Sequence, residues 1–363
     1  MNTLTIHDRN SFIKTNNFNL VRIVAAMQVF FTHSIQHLQI KNELIYFIYY
    51  KFLIYFPGVP VFYTISGFLI YASFERKHND IKNFYLNRFL RIYPGLIICV
   101  LFTCVLLYLD FPPGSPFFST GFFKWIGGQL TFFQFYTPDV LRFWGVSAPN
   151  GSLWTISVEI QFYLIIPIIY LLFVRSKRNL WTLIGLFVLS LIINMTYNVR
   201  ETALQKLYYL FVLKYLYYFL FGIFAYIYWD KLNKFFVNRF ILISAIYIIF
   251  FIIVGNYMKA GIVSYIIISP FGLPANILLS LWTLSFAFSY RTLSSRILGK
   301  TDISYGVYIY HMPVVNYLVQ HKHMYSAWYL LTALLCTISL AWLSWHFIEE
   351  KALQIKHKRI AHT

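Results

Sequence analysis

Ten stretches of this 363-residue chain are each apolar over about 20 residues, the length a helix needs to cross the hydrocarbon of a bilayer. They fall at 18–38, 57–74, 93–110, 152–174, 179–198, 207–229, 239–256, 264–290, 303–320 and 325–347. Lipid supplies no hydrogen bonds to an exposed backbone, so a run of this length is stable there only as a helix that satisfies itself. The expected fold class is therefore all-α, a polytopic membrane protein with about ten transmembrane helices. Composition agrees: 59% of residues are hydrophobic and 12% charged, whereas soluble globular chains carry about a quarter charged residues. Residues 46–56 are too few to span and are interrupted by Lys51, so this piece reads as interfacial or re-entrant. No repeat, linker or low-complexity run marks a second domain. Residues 1–363 read as one transmembrane domain with short tails at 1–17 and 349–363. The first tail lacks a basic leader with a small-residue cleavage site and is expected to be retained.

Charge orients the runs. With the N-terminus inside, twenty of the thirty Lys and Arg residues fall in inner segments and eight in outer ones, with Arg22 and Lys214 left within runs. That bias matches the positive-inside rule and places both termini in the cytoplasm. The net charge of +18 is thus a topology signal directed at anionic membrane lipids; its scatter over short loops excludes a nucleic-acid partner. Cys99, Cys104 and Cys336 lie in apolar runs without a CxxC pair, which points to packing rather than to a disulfide or zinc framework.

Within this apolar background, the polar residues carry the chemistry. The first run contains RIVAAMQVFFTH. Eleven helical steps make three turns plus about 20°, so Arg22 and His33 share a face about 16 Å apart. Ionisable groups inside a membrane are costly and mark functional sites; the plainer alternative is an anchoring Arg and a His satisfied by a neighbouring helix. His37 completes a His-x3-His pair, but no Glu follows His33 and no third ligand is near, so no metal is expected. Gly58, Ser66 and Gly67 in the second run suit close helix packing. In the inner segment NFYLNRFLRIYP, Arg88 and Arg91 stand at i, i+3, a spacing that serves either a phosphate clamp or ordinary inner charge. The long outer segment 111–150, with an amphipathic piece centred on Trp125, is either a ligand-binding loop or a cap.

The fourth run opens NGSLWTISVEIQFY, and Glu159 is the one carboxylate well inside any run. Its depth matches that of His33, about 10 Å from the outer surface. A carboxylate beside an imidazole fixes its tautomer and raises its basicity, as a general base requires; a neutral structural hydrogen-bonding role is the alternative. Lys214 either faces a cavity or snorkels. The ninth run begins TDISYGVYIYHMPV, where Ser304, Tyr308 and His311 form an i, i+4, i+7 stripe, with His311 either a second site residue or a network member. Glu349 and Glu350 close the last run and are positioned to pair with inner arginines.

In this order, the landmarks resemble the acyltransferase-3 family of bacterial integral membrane acyltransferases over almost the whole chain. The matching elements are Arg22 with His33, PVFYTISGFLI, Arg88 and Arg91 followed by YP, SLWTISVEIQFY with Glu159, ISYGVYIYHMPV with His311, and a closing FIEE. The family pattern often has Pro where this chain has Ser157. The resemblance implies a ten-helix domain in the bacterial inner membrane that takes an acetyl group from cytosolic acetyl-coenzyme A and passes it to a carbohydrate hydroxyl at the outer face. Acetyl-coenzyme A is a substrate in that scheme, and no permanently bound cofactor is implied. Arg22 and His33 match the family's catalytic pair, and Arg88 and Arg91 its donor-side motif. With only a short tail after the last run, the chain resembles stand-alone members that decorate O-antigens, exopolysaccharides or Nod factors.

The leading expectation is an O-acetyltransferase of a surface polysaccharide or its lipid-linked precursor, with His33 as general base, Glu159 as its orienter, and Arg88 and Arg91 on the donor phosphates. The alternative is a polysaccharide or lipid transporter using His33, Glu159 and His311 as a proton relay. Against transport stand the missing inverted repeat and the scarcity of Gly/Pro-broken runs at matched positions.

Overall fold

The computed structural model describes residues 15–76, 80–114, 116–175, 180–196, 203–258, 272–299 and 301–360. Residues 1–14 with Arg9 and Lys14, Lys77, Lys177, Arg178, Arg200, Lys259, the opening of the run at 264–290, and Lys300 lie outside the described residues. Among the described residues the secondary structure is entirely helical. Each of the ten apolar runs contains a helix, and side-chain caps set several of the starts.

Helix α1 (Phe18–His37) is followed by α2 (Glu43–Lys51), whose first turn is capped by Asn42 accepting from the Ile45 amide at 3.0 Å. Helix α3 (Gly58–Arg76) precedes α4 (Ile81–Leu109), which Asp80 caps at the Asn83 amide. The inner segment carrying Arg88 and Arg91, whose i, i+3 spacing suits one helical face, is the first part of α4, a helix about 43 Å long that continues into the third apolar run. In the outer segment, Ser119 caps α5 (Thr120–Gln129), which buries Trp125 as its amphipathic pattern predicts. Then come α6 (Trp154–Arg175), α7 (Leu180–Thr196), α8 (Ala203–Tyr209), α9 (Leu216–Ile227), α10 (Trp229–Phe236) and α11 (Phe240–Met258). The last are α12 (Gly272–Phe288), α13 (Leu293–Ile297), α14 (Ser304–Gln320), α15 (Ala327–Ser344) and α16 (Glu350–Ile360), with a π-helical turn at Trp345–Glu349.

Five helical stretches are long and apolar enough to cross a membrane, or six if the bent pair Trp229–Phe236 and Phe240–Val254, inclined at 72°, forms one span. Leu180–Asn194, Leu216–Ile227 and Gly272–Phe288 are apolar but shorter. The chain is a membrane protein, although helix length alone accounts for fewer than ten crossings. The run at 207–229 illustrates why: it is broken by a 3-10 turn at Val212–Lys214, and the buried Lys214 ammonium lies 5.7 Å and 5.0 Å from the Tyr208 and Tyr209 rings. Lys214 therefore does not snorkel.

The chain forms two compact units, one of residues 1–25, 55–78 and 164–300, the other of residues 26–54, 79–163 and 301–363. In the first, α3 and α9 approach so closely that a Cβ on Gly67 would meet the Phe219 carbonyl, and one on Gly222 the Thr64 carbonyl. This is the small-residue packing expected of Gly67. Asn17, read as the end of a polar tail, is fully buried in this unit. Its amide donates to the Ser289 carbonyl at 2.6 Å and its oxygen accepts from the Ser294 amide at 2.9 Å, which fixes where α1 begins. In the second unit, Gly306 lets α14 lie against Ala341 of α15, where an added Cβ would come 2.7 Å from the Ala341 Cα. Cys99 donates to the Ile309 carbonyl at 3.2 Å and Tyr305 to the Ile92 carbonyl at 2.9 Å, which joins α4 to α14.

Candidate active site

The second unit brings His33 of α1 against His311 of α14. His33 Nδ1 and His311 Nε2 are 2.8 Å apart, and the rings stack at 5.1 Å with 13° between their planes. His311 Nδ1 faces the Val307 carbonyl one turn back, at 3.3 Å. A carbonyl only accepts, so this contact assigns a neutral His311 its proton on Nδ1 and a lone pair at Nε2. That lone pair takes the Nδ1–H of His33. The neutral His33 ring must then hold an unprotonated Nε2, the atom a general base requires. Phe30 and Tyr308 flank His311 with ring centres 6.5 Å and 5.9 Å away, and His37 lies 5.9 Å from His33. Among the described residues no group of three or more His, Cys, Asp or Glu side chains is placed to hold a metal.

Helix α14 is pinned along the length that carries His311. At its start, Asp302 accepts from the Ser304 hydroxyl at 2.5 Å and from the Ser304 amide at 3.4 Å. Midway, Tyr308 shares a 2.6 Å hydrogen bond with Thr155 and donates to the Ser152 carbonyl at 3.0 Å, and Asn150 donates to the Ile309 carbonyl at 2.9 Å. Ser304 and Tyr308 thus anchor the helix whose third stripe residue is His311. Towards its end, Asn316 donates to the Ala148 and Pro149 carbonyls at 2.9 Å and 3.0 Å and accepts from the Val146 amide at 2.8 Å. Gln320 accepts from the Gly145 amide at 3.0 Å. Gly145 has φ +56°, and a Cβ there would strike Asn316, so this strap admits no larger residue. Segment 142–150 is therefore laid along the helix that carries His311.

The expected partner of His33 lies elsewhere in the hydrogen-bond pattern. Glu159 accepts from the phenol of Tyr163 one turn along α6, and the Arg88 guanidinium lies 5.9 Å from that phenol ring and 5.7 Å from Phe84. The hydrogen bond found at His33 runs to His311. Arg91 makes an ion pair with Asp302 at 2.5 Å, with side chains 21% and 8% exposed. The two arginines share a face of α4 as their spacing predicts, but Arg91 also joins α4 to the start of α14. Glu349 is buried and accepts from Ser344 at 2.8 Å. Arg22 lies in the part of α1 that belongs to the first unit and donates to Asn19 at 3.3 Å.

Sequence reasoning passed over Asp302, Asn316 and Tyr163. For Asp302 a signal existed, because Asp-x-Ser before an apolar run is a helix-start pattern. Asn316 stands alone in an apolar run, the position in which a buried amide with an assigned partner is expected. Tyr163 lies at i+4 from Glu159, within side-chain reach on a helix.

The chain is thus an all-helical membrane protein with two imidazoles in contact among its helices. Residues 15–346 match the acyltransferase-3 family, whose model is described as an acyltransferase domain, and the chain belongs to this family. It is an acyltransferase. The chain is 28% identical to nodulation protein 10 of Rhizobium leguminosarum bv. viciae, over 95% of each chain. It is 27% identical to the O-acetyl transferase of Shigella phage Sf6, over 94% of this chain and 96% of the relative. It also shares 28% identity with the peptidoglycan O-acetyltransferase OatA of Listeria monocytogenes, over 42% of this chain and 26% of the relative. No solved structure matches the chain.

Proposed function

We propose that this chain is an O-acetyltransferase of the bacterial inner membrane that moves an acetyl group from cytosolic acetyl-coenzyme A to a hydroxyl of a surface polysaccharide or its lipid-linked precursor. The carrying observation is the 2.8 Å contact between His33 Nδ1 and His311 Nε2; with both rings neutral and the His311 proton directed at the Val307 carbonyl, His33 Nε2 is the acceptor. In net transfer the donor's C–S bond breaks and an ester C–O bond forms. His33 removes the hydroxyl proton, which leaves with coenzyme A as its thiol. The names of the phage and Listeria relatives support the acetyl group and the hydroxyl acceptor.

The other site residues take roles from their positions. Arg88 provides the donor-side charge, and Glu159, through Tyr163, holds the aromatic ring beside that charge. Arg91 acts with it on the donor while bound to Asp302, and Arg22 supplies positive charge on the helix that carries His33. No permanently bound cofactor enters this scheme. The chain forms one acyltransferase domain of ten spans with both termini cytoplasmic, a topology supported by the charge bias and by a helix in every apolar run.

The test is the O-acetyl content of isolated surface polysaccharide by NMR, normalised to inserted protein. His33→Ala should lower turnover by about 10²- to 10⁴-fold, the range for a positioned base, while acetyl-coenzyme A still binds. Near-normal acetylation in His33→Gln would remove the base assignment. A transporter would neither bind nor consume acetyl-coenzyme A.

A further inference from the structure

Helix α2 has a surface that water does not suit. Leu44 is 67% exposed, Tyr46 54%, Phe47 53%, Ile48 41% and Tyr50 40%. At 100° per residue these five cover an arc of about 200°, while Tyr49 is buried on the opposite side. Charged residues in the helix occur only at its ends, Glu43 and Lys51, so the exposed arc has no polar stripe along it. Nine residues rise about 13 Å, less than half of the roughly 30 Å hydrocarbon core, so α2 does not cross it alone and forms the first part of the 34-residue apolar stretch Glu43–Arg76 that α3 completes. Five residues join it to the end of α1, and the 3-10 turn Leu53–Tyr55 leads into α3, so it is tethered between the end of one apolar helix and the start of the next. Tyrosines and flanking lysines are the side chains that settle at a membrane surface.

The buried side of α2 is latched to the helix that carries His33. Gln36 donates to the Tyr49 hydroxyl at 2.8 Å. Eight residues earlier on the same face, Gln28 donates to the Leu53 carbonyl at 3.1 Å and to Thr32 at 3.1 Å. His33 faces His311 from the adjoining face.

We infer that α2 lies in the outer lipid leaflet and is the surface along which a membrane-anchored acceptor reaches the imidazole pair, so that the enzyme acts on acceptors carried by lipid in preference to detached glycans. This rests on the acceptor proposed above. It adds the route, which no relative's name describes. The partner is a lipid surface: a wide apolar arc for chains, bounded by Lys41 and Lys51 for headgroup phosphates.

The experiment uses the full-length chain in phospholipid vesicles, with its three cysteines replaced by serine and a fluorophore on a cysteine introduced at Phe47. Lipids bearing a quencher near the headgroup should quench that fluorophore, and aqueous iodide should not. In parallel, Leu44→Ser with Phe47→Ser is assayed on one glycan in two forms, lipid-anchored in the same vesicles and detached in water. KM for the anchored form should rise about tenfold, with turnover on the detached form unchanged. Iodide quenching, or equal slowing of both forms, overturns the inference. Shielding from both quenchers together with cross-linking of two chains at α2 also overturns it, by assigning the arc to a second copy. If wild type acetylates neither form, the acetyltransferase reading fails, while the quenching result still decides where α2 lies.

Discussion

A histidine in an apolar helix becomes a base only when something decides which nitrogen holds the proton. In the proposed mechanism that decision begins at the Val307 carbonyl, passes through His311 and ends at His33. His311→Ala should leave the His33 ring free to change tautomer and to tilt. Misplacement of a reacting group by about 1 Å costs roughly 10²-fold, so turnover should fall by about that factor with donor affinity retained. His311→Gln, whose side chain still offers an acceptor, should recover part of the loss. Equal activity of both variants in an acetyl-transfer assay would show that His311 merely fills space. The two arginines of α4 should separate in a different way. Arg88→Ala is expected to weaken acetyl-coenzyme A binding at least tenfold, since a hydrogen bond to a charged group contributes about 1.5 to 3 kcal/mol. Asp302→Ala removes the carboxylate hydrogen-bonded to Arg91, leaving Glu349 as its other acidic neighbour, and should destabilise the protein by up to about 3 kcal/mol. In a thermal-shift measurement, Arg91→Leu with Asp302→Leu should lose less than Asp302→Ala alone.

Helices set those side chains, and the least obvious of the supporting contacts is the strap on α14. Asn316→Leu removes three hydrogen bonds between that helix and segment 142–150, each worth about 0.5 to 1.5 kcal/mol net. The strap should then become cleavable by protease added outside intact cells, with activity falling because the far end of the His311 helix is loosened. Resistance equal to wild type would show that Gln320 and Gly145 suffice. Such contacts define what is legible in the sequence. Helix positions are legible because lipid imposes one length and one backbone solution, and all ten apolar runs contain a helix. The break at Val212–Lys214 is not, because Phe211, Val212 and Leu213 are as apolar as their neighbours and only chain geometry shows the turn. His33 and Glu159 are legible as polar groups at similar depth. The Tyr163 partner of Glu159 is legible too, at i+4 on the same helix, whereas the partner of His33 is not, since depth leaves rotation about the axis of α1 undetermined and that rotation turns His33 towards His311.

For the whole molecule, orientation is the quantity that the charge bias predicts. Single cysteines at Lys234 or Arg296 should react in intact cells only with membrane-permeant reagents, and those at Thr120 or Lys322 with impermeant ones. The reverse pattern would place the donor-side arginines outside and remove the cytosolic donor. The separation of the two imidazoles has a further consequence for biosynthesis. His33 and His311 are 278 residues apart. A ribosome at the membrane delivers the first imidazole early and the second only when nearly the whole chain has been inserted. During that interval the growing polypeptide has an imidazole with no fixed tautomer and no strapped helix beside it. On the proposed mechanism a chain released before residue 301 lacks His311 and should not transfer acetyl groups, so premature termination should yield a silent protein.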